Sequence, residues 1–336
     1  MDWYIQLNGI IKMLVSKTPF RVSFLGGGTD LPEWYSKNNA NVISTSIDKY
    51  SYVILRFLPS IFNYKFRLRY FKTEQVKNLE QIEHNTFREA LKLLYKKKHT
   101  LEIVHNSDIP SLSGLAGSST TTAGIVNLLL KLEKKNSKKE ILKKTLLIEQ
   151  NILNERVGSQ DQAACVYGGF NHINFKKSNI KIKKLNNYKA IKKIEDSILL
   201  IFTKNRQSKK RNKINLKSKM LKKNNFNAFQ DINQITLEGL NLINGNFDIK
   251  YFGSLINEYW KIKKSLNKST TNSKIDYIDE ACSRLGCYGG KLLGAGGGGF
   301  FMVLADKYAK KKIKQKFKEN VLDIKFENCG TKIINF

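Results

Sequence analysis

The stretch "PSLSGLAGSSTTTAGIVNLLL", from Pro110 to Leu130, is the strongest constraint on what this chain can fold into. Gly114, Gly117, Ser118 and Ser119 stand directly ahead of a long apolar run. Glycine lets a backbone approach another group closely, and a helix start presents unpaired N–H groups with partial positive charge. Together they make an anion site, for which phosphate is the usual occupant. An ordinary loop closed by a serine N-cap would use the same letters. In both readings a helix runs from about Ser118 to Lys134, and "TLEIVHNSDIP" forms a strand that stops at Pro110.

The flanking sequence sets the fold class. "VSKTPFRVSF" reads as a strand that ends in the glycine turn "LGGGTD", and "NVISTSIDKYSYVILRFL" has the β-branched and aromatic density of paired strands. "TFREALKLLYKKK" is helical, and a further helix is predicted from about Ser137 to Asn154. Strands and helices are mixed without strict βαβ alternation, which predicts an α+β fold. At 336 residues two domains are expected, divided near a Lys/Asn-rich segment before the strand "SILLIF", giving 1–190 and 191–336.

Composition excludes some functions and leaves others open. The chain carries 59 basic and 28 acidic residues, a formal charge of +31. That excess could serve nucleic acid, a membrane surface or an anionic substrate, or reflect a general drift toward Lys, Asn and Ile. It is spread along the chain without a recognisable nucleic-acid-binding module, so neither nucleic acid nor membrane is expected as a partner. Cys165, Cys282, Cys287 and Cys329 form no CxxC pair and are expected as reduced thiols. No stretch reaches the roughly eighteen apolar residues that span a bilayer, and the opening residues lack a signal-peptide pattern. The expectation is a cytoplasmic protein.

Two acids carry the chemical expectation. Glu149 falls among Leu142, Leu146, Ile148, Ile152 and Leu153 on the apolar face of its predicted helix. A carboxylate there is costly unless a metal ion or an arginine pairs with it, and a structural salt bridge would also answer. Asp161 follows in "GSQDQ", where a turn residue is the plainer alternative. Serine hydroxyl and carboxylate are hard oxygen ligands of the kind Mg²⁺ prefers, and a second carboxylate could take a proton from a substrate hydroxyl. That is the equipment of phosphoryl transfer. There is no GxxxxGK[ST], so a Walker A protein is excluded. A third glycine cluster, "GAGGGG" at Gly294 to Gly299, precedes a strand and is expected to bring the backbone close to a neighbour, with a glycine-rich linker or bulge as the alternative.

The combination resembles the GHMP kinases, with three signature regions in order: "PFRVSFLGGGTD" from Pro19, "PSLSGLAGSST" from Pro110 and "KLLGAGGGGFF" from Lys291. The resemblance implies an N-terminal domain of the ribosomal protein S5 domain 2 type and a ferredoxin-like C-terminal domain, with the active site between them. It implies ATP and Mg²⁺ as cofactors. The ATP phosphate cradle falls on Pro110, Ser113, Gly114, Leu115, Ala116, Gly117, Ser118, Ser119 and Thr120, with Ala116 standing where the family usually has glycine. Ser118 matches the metal-ligating serine, with Ser119 as the alternative, and Glu149 matches the metal-site glutamate. Asp161 matches the catalytic aspartate and Arg21 the basic residue of the first motif. Substrate contacts are implied for Gly26, Gly27, Gly28, Thr29, Asp30, Gly296, Gly297 and Gly298, and Gly27 and Gly28 are expected to leave room beside the sugar. Within the family, the motifs look like those of bacterial kinases acting on D-glycero-D-manno-heptose 7-phosphate. Arg206, in "FTKNRQSKK", is then the candidate for the sugar's phosphate. A kinase of an unphosphorylated sugar such as fucose or galactose is the alternative, and a nucleic-acid-binding protein on a kinase scaffold a remote one. Oligomeric state is not readable.

Overall fold

A computed structural model of the chain describes residues 6–7, 10–11, 13–97, 99–177, 179–204 and 223–334. Two antiparallel strands begin the first sheet, β1 (Met13–Leu25) and the long β2 (Ala40–Leu58). The remainder of β2 is long enough to take several partners. β5 (Thr100–Ser107) pairs along residues 51–58, and β6 (Phe170–Lys176) along residues 40–45. β3 (Phe66–Arg69) runs parallel to β5 and carries β4 (Thr73–Val76) at the sheet edge, while β7 (Asn179–Lys184) pairs with β6.

Helix α3 (Gly117–Leu132) lies on this sheet, and every residue from Ser119 to Leu130 is buried. Its first turns are Ser and Thr and the rest is mainly apolar, and burial on every face makes it a core helix. The short α1 (Pro32–Tyr35), α2 (Asn85–Leu94), α4 (Lys138–Leu146) and α5 (Gln160–Tyr167) complete this half. The continuous helix expected from Ser137 to Asn154 is not uniform: α4 ends at Leu146, and residues Leu147–Ile152 form one turn of π-helix that contains Glu149. Such wide turns are rare and concentrate at functional sites.

The second half opens with α6 (Tyr188–Ser197) and builds a four-stranded antiparallel sheet from β8 (Ile198–Lys204), β9 (Gly289–Leu292), β10 (Gly299–Leu304) and β11 (Val321–Leu322). Their spatial order is β9–β10–β8–β11. Helices α7 (Lys223–Asn244), α8 (Ile249–Leu266) and α9 (Ser273–Arg284) lie between the first and second of these strands. Helix α10 (Lys307–Phe317) joins the third to the fourth, which is the ferredoxin-like order. The chain then returns: β12 (Phe326–Glu327) pairs with β2, and β13 (Lys332–Ile334) with β1. The sequence reading placed all of 191–336 in one domain, whereas these last strands hydrogen-bond into the first sheet.

A shared core explains why β1 is apolar on both faces. Phe20, Val22 and Phe24 pack with Leu200, Phe252, Ile256 and Met302 of the second half. Leu14, on the other side, joins Ala123, Val126 and Leu130 of α3. The loops that leave β1 and precede α3 are thereby fixed at the seam between the halves.

Candidate active site

Four backbone segments meet at that seam. The first is the turn after β1. Thr29 closes it with its backbone N–H and hydroxyl, both donating to the Gly26 carbonyl, at 3.2 and 2.8 Å. Gly26 has φ +87°, and a Cβ there would lie 1.9 Å from the Asn41 carbonyl oxygen, so only glycine fits. Asp30 is 2% exposed. Its carboxylate accepts from the Gly28 N–H at 2.8 Å and from the Gln160 N–H at 3.1 Å. It therefore ties the turn to the start of α5, the second segment, whose first turn carries Asp161. Burial, and then the nearby Asp161 charge, raise the pKa of Asp30.

The third segment is the loop before α3. Arg21, 3% exposed on β1, reaches Asp161 with Nε at 2.8 Å and a terminal nitrogen at 2.7 Å, and donates to the Gly114 carbonyl at 2.9 Å. One guanidinium thus holds both Asp161 and the glycine loop in fixed positions, as its planar fork of donors allows. Ala116, at the N-cap of α3, is held left-handed at φ 73° and ψ 30°. This is the conformation that glycine adopts readily and alanine does not.

The fourth segment is the glycine cluster from the second half, and its purpose is close backbone contact. A Cβ on Gly294 would lie 2.6 Å from the Gly114 Cα, and one on Gly299 would lie 2.2 Å from the Ser113 carbonyl oxygen. The Phe300 N–H donates to that same carbonyl at 3.0 Å. The two glycine loops touch. Gly296 and Gly297 pack instead on Thr270, with the Gly297 N–H donating to its carbonyl at 3.0 Å. Gly298 stands beside them at φ 155°.

The first turn of α3 faces the π-helical turn. The Ser119 hydroxyl donates to Glu149 at 3.0 Å, and the Gln162 side-chain amide donates to the same carboxylate oxygen. Glu149 is 1% exposed, and burial pushes its pKa up to about 7 against the lowering effect of Thr122, Gln162 and Ser119. Among the described residues, its other carboxylate oxygen is buried without a hydrogen-bond partner, as are Ser113 Oγ, Gln160 Oε1 and Gln162 Oε1. Buried polar atoms are almost always satisfied in native proteins, so this cluster of orphans marks a place built to receive something polar.

The sequence-derived residues therefore converge, with three differences. The serine facing Glu149 is Ser119; Ser118 is exposed one residue earlier. Gly27 does not open a vacant space, because the Tyr259 hydroxyl donates to its carbonyl at 2.8 Å and Gln160 Nε2 stands 3.2 Å from where a Cβ would be. Arg206 lies outside the described residues. Pro110 is exposed at the loop entrance, whereas Leu115 and Thr120 are buried behind it.

Sequence reasoning missed three cationic or aromatic groups from the second half. Lys291 is 2% exposed, donates to the Phe24 carbonyl at 2.8 Å and lies 4.2 Å over the Tyr259 ring. Burial, then Lys263 and Arg21, hold its pKa well below the usual lysine range. A lysine at the head of the apolar run "KLL" was the available signal. Lys263, half-buried on α8, donates to the Gly294 carbonyl at 2.5 Å. Burial, then Arg21, lower its pKa to about 8, while Asp30 and Asp161 act in the opposite sense. No local signal distinguishes it from the neighbouring lysines of "KIKKSL".

The family model for GHMP kinases N terminal domain matches residues 85–169, and that for GHMP kinases C terminal matches residues 240–322. The chain belongs to the GHMP kinase family. As a family member it is an ATP-dependent phosphotransferase, and its two halves are the N- and C-terminal GHMP kinase domains. It is 27% identical over 337 residues to D-glycero-alpha-D-manno-heptose 7-phosphate kinase of Campylobacter jejuni, covering 96% of this chain and 99% of that protein. It is 25% identical over 263 residues to mevalonate kinase of Methanocaldococcus jannaschii, covering 75% and 79%. In structure it is similar to a D-glycero-D-manno-heptose 1-phosphate kinase from Bacteroides thetaiotaomicron, with TM-score 0.77, 18% identity and coverage of 96% and 99%. Among the described residues, no helix is long and apolar enough to cross a membrane.

Proposed function

We propose that this enzyme transfers the γ-phosphoryl group of ATP to the anomeric hydroxyl of D-glycero-D-manno-heptose 7-phosphate, giving the 1,7-bisphosphate. That product would feed nucleotide-activated heptose for surface polysaccharides, in the cytoplasm. The observation that supports a kinase centre here is the Arg21 guanidinium, which joins Asp161 to the Gly114 carbonyl of the phosphate loop. It sets an acid beside a cradle for triphosphate. The similarity to the Campylobacter enzyme supports the choice of acceptor.

In this reading the loop from Ser113 to Ser119 and the start of α3 receive the ATP phosphates. Asp161 accepts the proton of the acceptor hydroxyl as its oxygen bonds to the γ-phosphorus and the bond to the ADP oxygen breaks. Arg21 fixes the Asp161 carboxylate at the place where that proton arrives. Asp30 stands behind both, holding the glycine turn against α5, and Gly26 to Thr29 shape the wall on the acceptor side. Ser119 and Glu149 fit Mg²⁺: both offer hard oxygen donors, and among the described residues no side chain or backbone group satisfies the second Glu149 oxygen. Few protein carboxylates are needed, since Mg²⁺ keeps waters and takes phosphate oxygens. When bound, it would neutralise charge on the phosphates.

The test is ATP-coupled ADP release with heptose 7-phosphate, sedoheptulose 7-phosphate, free heptose, fucose and galactose. Turnover on the heptose phosphate, lost in Asp161→Asn, is expected. Turnover on a free sugar alone would keep the kinase and reject the acceptor.

A further inference from the structure

Lys263 occupies an unusual place for a lysine. It projects from α8 in the second half, yet its ammonium meets the Gly294 carbonyl at 2.5 Å, where the two glycine loops touch. Gly294 abuts Gly114, and the Gly114 carbonyl is itself held by Arg21. Arg21 also donates to Asp161 through Nε and its other terminal nitrogen, and Lys291 is turned toward the Phe24 carbonyl and the Tyr259 ring. Lys263 differs from Arg21. Its hydrogen-bond partner is a neutral carbonyl, and among the described residues no carboxylate lies within ion-pair distance of it. A half-buried cation without a counter-ion is costly. Here it is held at the mouth of an anion cradle, which is where such a cost is repaid when an anion arrives.

We infer that Lys263 is a phosphate-binding residue of the transfer centre, its ammonium contacting a phosphate oxygen at the junction of the two glycine loops. The inference rests on the kinase reading above and names a group contributed by the C-terminal domain. In chemical terms, a compact ammonium with three rotatable donors can keep its bond to Gly294 and still offer an N–H to phosphate. It would make the second half a direct participant in phosphoryl transfer rather than a wall. Two phosphates could occupy the position, the one being transferred and the one already on the acceptor.

The decisive variant is Lys263→Gln, which retains a donor for the Gly294 carbonyl but has no charge. Its kcat is expected to fall about 100-fold, the usual effect of removing one preorganised donor from a developing anion, with an unchanged melting temperature. An equal loss on phosphorylated and free sugars would assign Lys263 to the transferred phosphate. A loss confined to kcat/KM for phosphorylated acceptors would assign it to the acceptor phosphate. Both support the inference, and wild-type rates on every acceptor would overturn it. A second readout does not depend on turnover: acetylation of Lys263 by acetic anhydride, followed by mass spectrometry, with and without MgAMP-PNP and inorganic phosphate. Protection of Lys263 is expected. Equal labelling in all conditions would overturn the inference, even if the wild type proved to phosphorylate none of the sugars and the proposed activity itself failed.

Discussion

Asp161 and Gln162 are neighbours on α5, yet they face two regions with opposite electrostatics. Asp161 points to the seam, where Arg21 supplies a full positive charge at 2.7 Å, and its side chain keeps 27% exposure. Gln162 points inward to Glu149, which is met only by neutral donors and is sealed from water. Among the described residues, Asp161 has a counter-charge and Glu149 has none. The difference teaches what each region is prepared for. In the proposed reading the Asp161 region is complete, a positioned carboxylate open to a small acceptor. The Glu149 region offers its acid neutral donors, and burial raises the pKa of Glu149 to about 7.

The largest expected effect breaks the complete region. Asp161→Asn keeps the shape of the side chain and removes both the proposed proton acceptor and the charged partner of Arg21. A loss of about 10³-fold in kcat is expected, within the usual range for a general base. The KM for ATP should change little, because the phosphate loop is unaltered. Steady-state ADP release with ATP and acceptor varied separately measures both. A comparable rise in the KM for ATP would show that the Arg21–Asp161 pair serves the nucleotide rather than the acceptor.

Next comes the Glu149 region. Glu149→Gln should lower kcat about 100-fold through weaker Mg²⁺ retention, and raise the Mg²⁺ concentration needed for half-maximal rate. Its effect on stability should have the other sign. A carboxyl whose pKa is raised on folding binds more protons folded than unfolded, so the wild type loses stability as pH climbs from about 4.5 toward 7. Above pH 7 that deficit is fully present, on the order of 3 kcal/mol for a shift of this size. Glu149→Gln removes it. In metal-free buffer the variant should therefore match the wild type near pH 5 and exceed it at pH 8. Urea denaturation at the two pH values checks this, and a variant no more stable at pH 8 would mean that Glu149 already finds a counter-charge.

Much of this contrast could be read from the sequence, because it is local. Three glycine clusters, an acid on an apolar helix face and a helix start behind "GLAGSS" are each patterns of a few consecutive residues. What escaped is phase and long-range contact. Successive residues of a helix point about 100° apart, so the choice between Ser118 and Ser119 depends on where the helix begins. That in turn depends on the left-handed Ala116, whose conformation no letter declares. With that start, the Ser119 hydroxyl donates to Glu149, while the Thr122 hydroxyl three residues on donates to the Ser118 carbonyl. The π-helical turn was hidden for a related reason, since its sequence is as helical as its surroundings. Lys263, Lys291 and Tyr259 reach the site from the other half, and nothing local marks a side chain for a contact so distant in sequence.

Gly158 belongs to the same unread class and gives a smaller prediction. In "VGSQDQ" it looks like a turn residue, but the Asp30 carboxylate lies where its Cβ would be, at 1.8 Å. Its backbone is the floor on which Asp30 rests while binding the start of α5. Gly158→Ala must displace Asp30, and with it the Gln160 N–H and the neighbouring Asp161. A stability loss of about 2 kcal/mol is expected, typical of overpacking a buried site, with kcat down about tenfold through Asp161. The Glu149 region should be spared, so the Mg²⁺ dependence should not move. If it moved as far as in Glu149→Gln, the two regions would be coupled through α5 and could not be treated as separate.

The smallest effect probes the loop that serves both regions. Ala116 stands left-handed at φ 73°, a conformation that costs an L-residue with a side chain about 1–2 kcal/mol. Ala116→Gly relieves that strain. Against the relief stand the greater freedom of glycine in the unfolded chain, about 0.4–1 kcal/mol, and the lost burial of one methyl group, about 0.8 kcal/mol. The terms nearly cancel, so the stability change should stay within about 1 kcal/mol, read by the same urea titrations. Function is the sharper readout. If the alanine holds the cradle in its binding shape, Ala116→Gly should weaken MgAMP-PNP binding a few-fold in calorimetry by an unfavourable entropy, with kcat almost unchanged. Tighter binding to the glycine variant would instead mean that the methyl group obstructs the phosphates, and that the loop works despite its alanine.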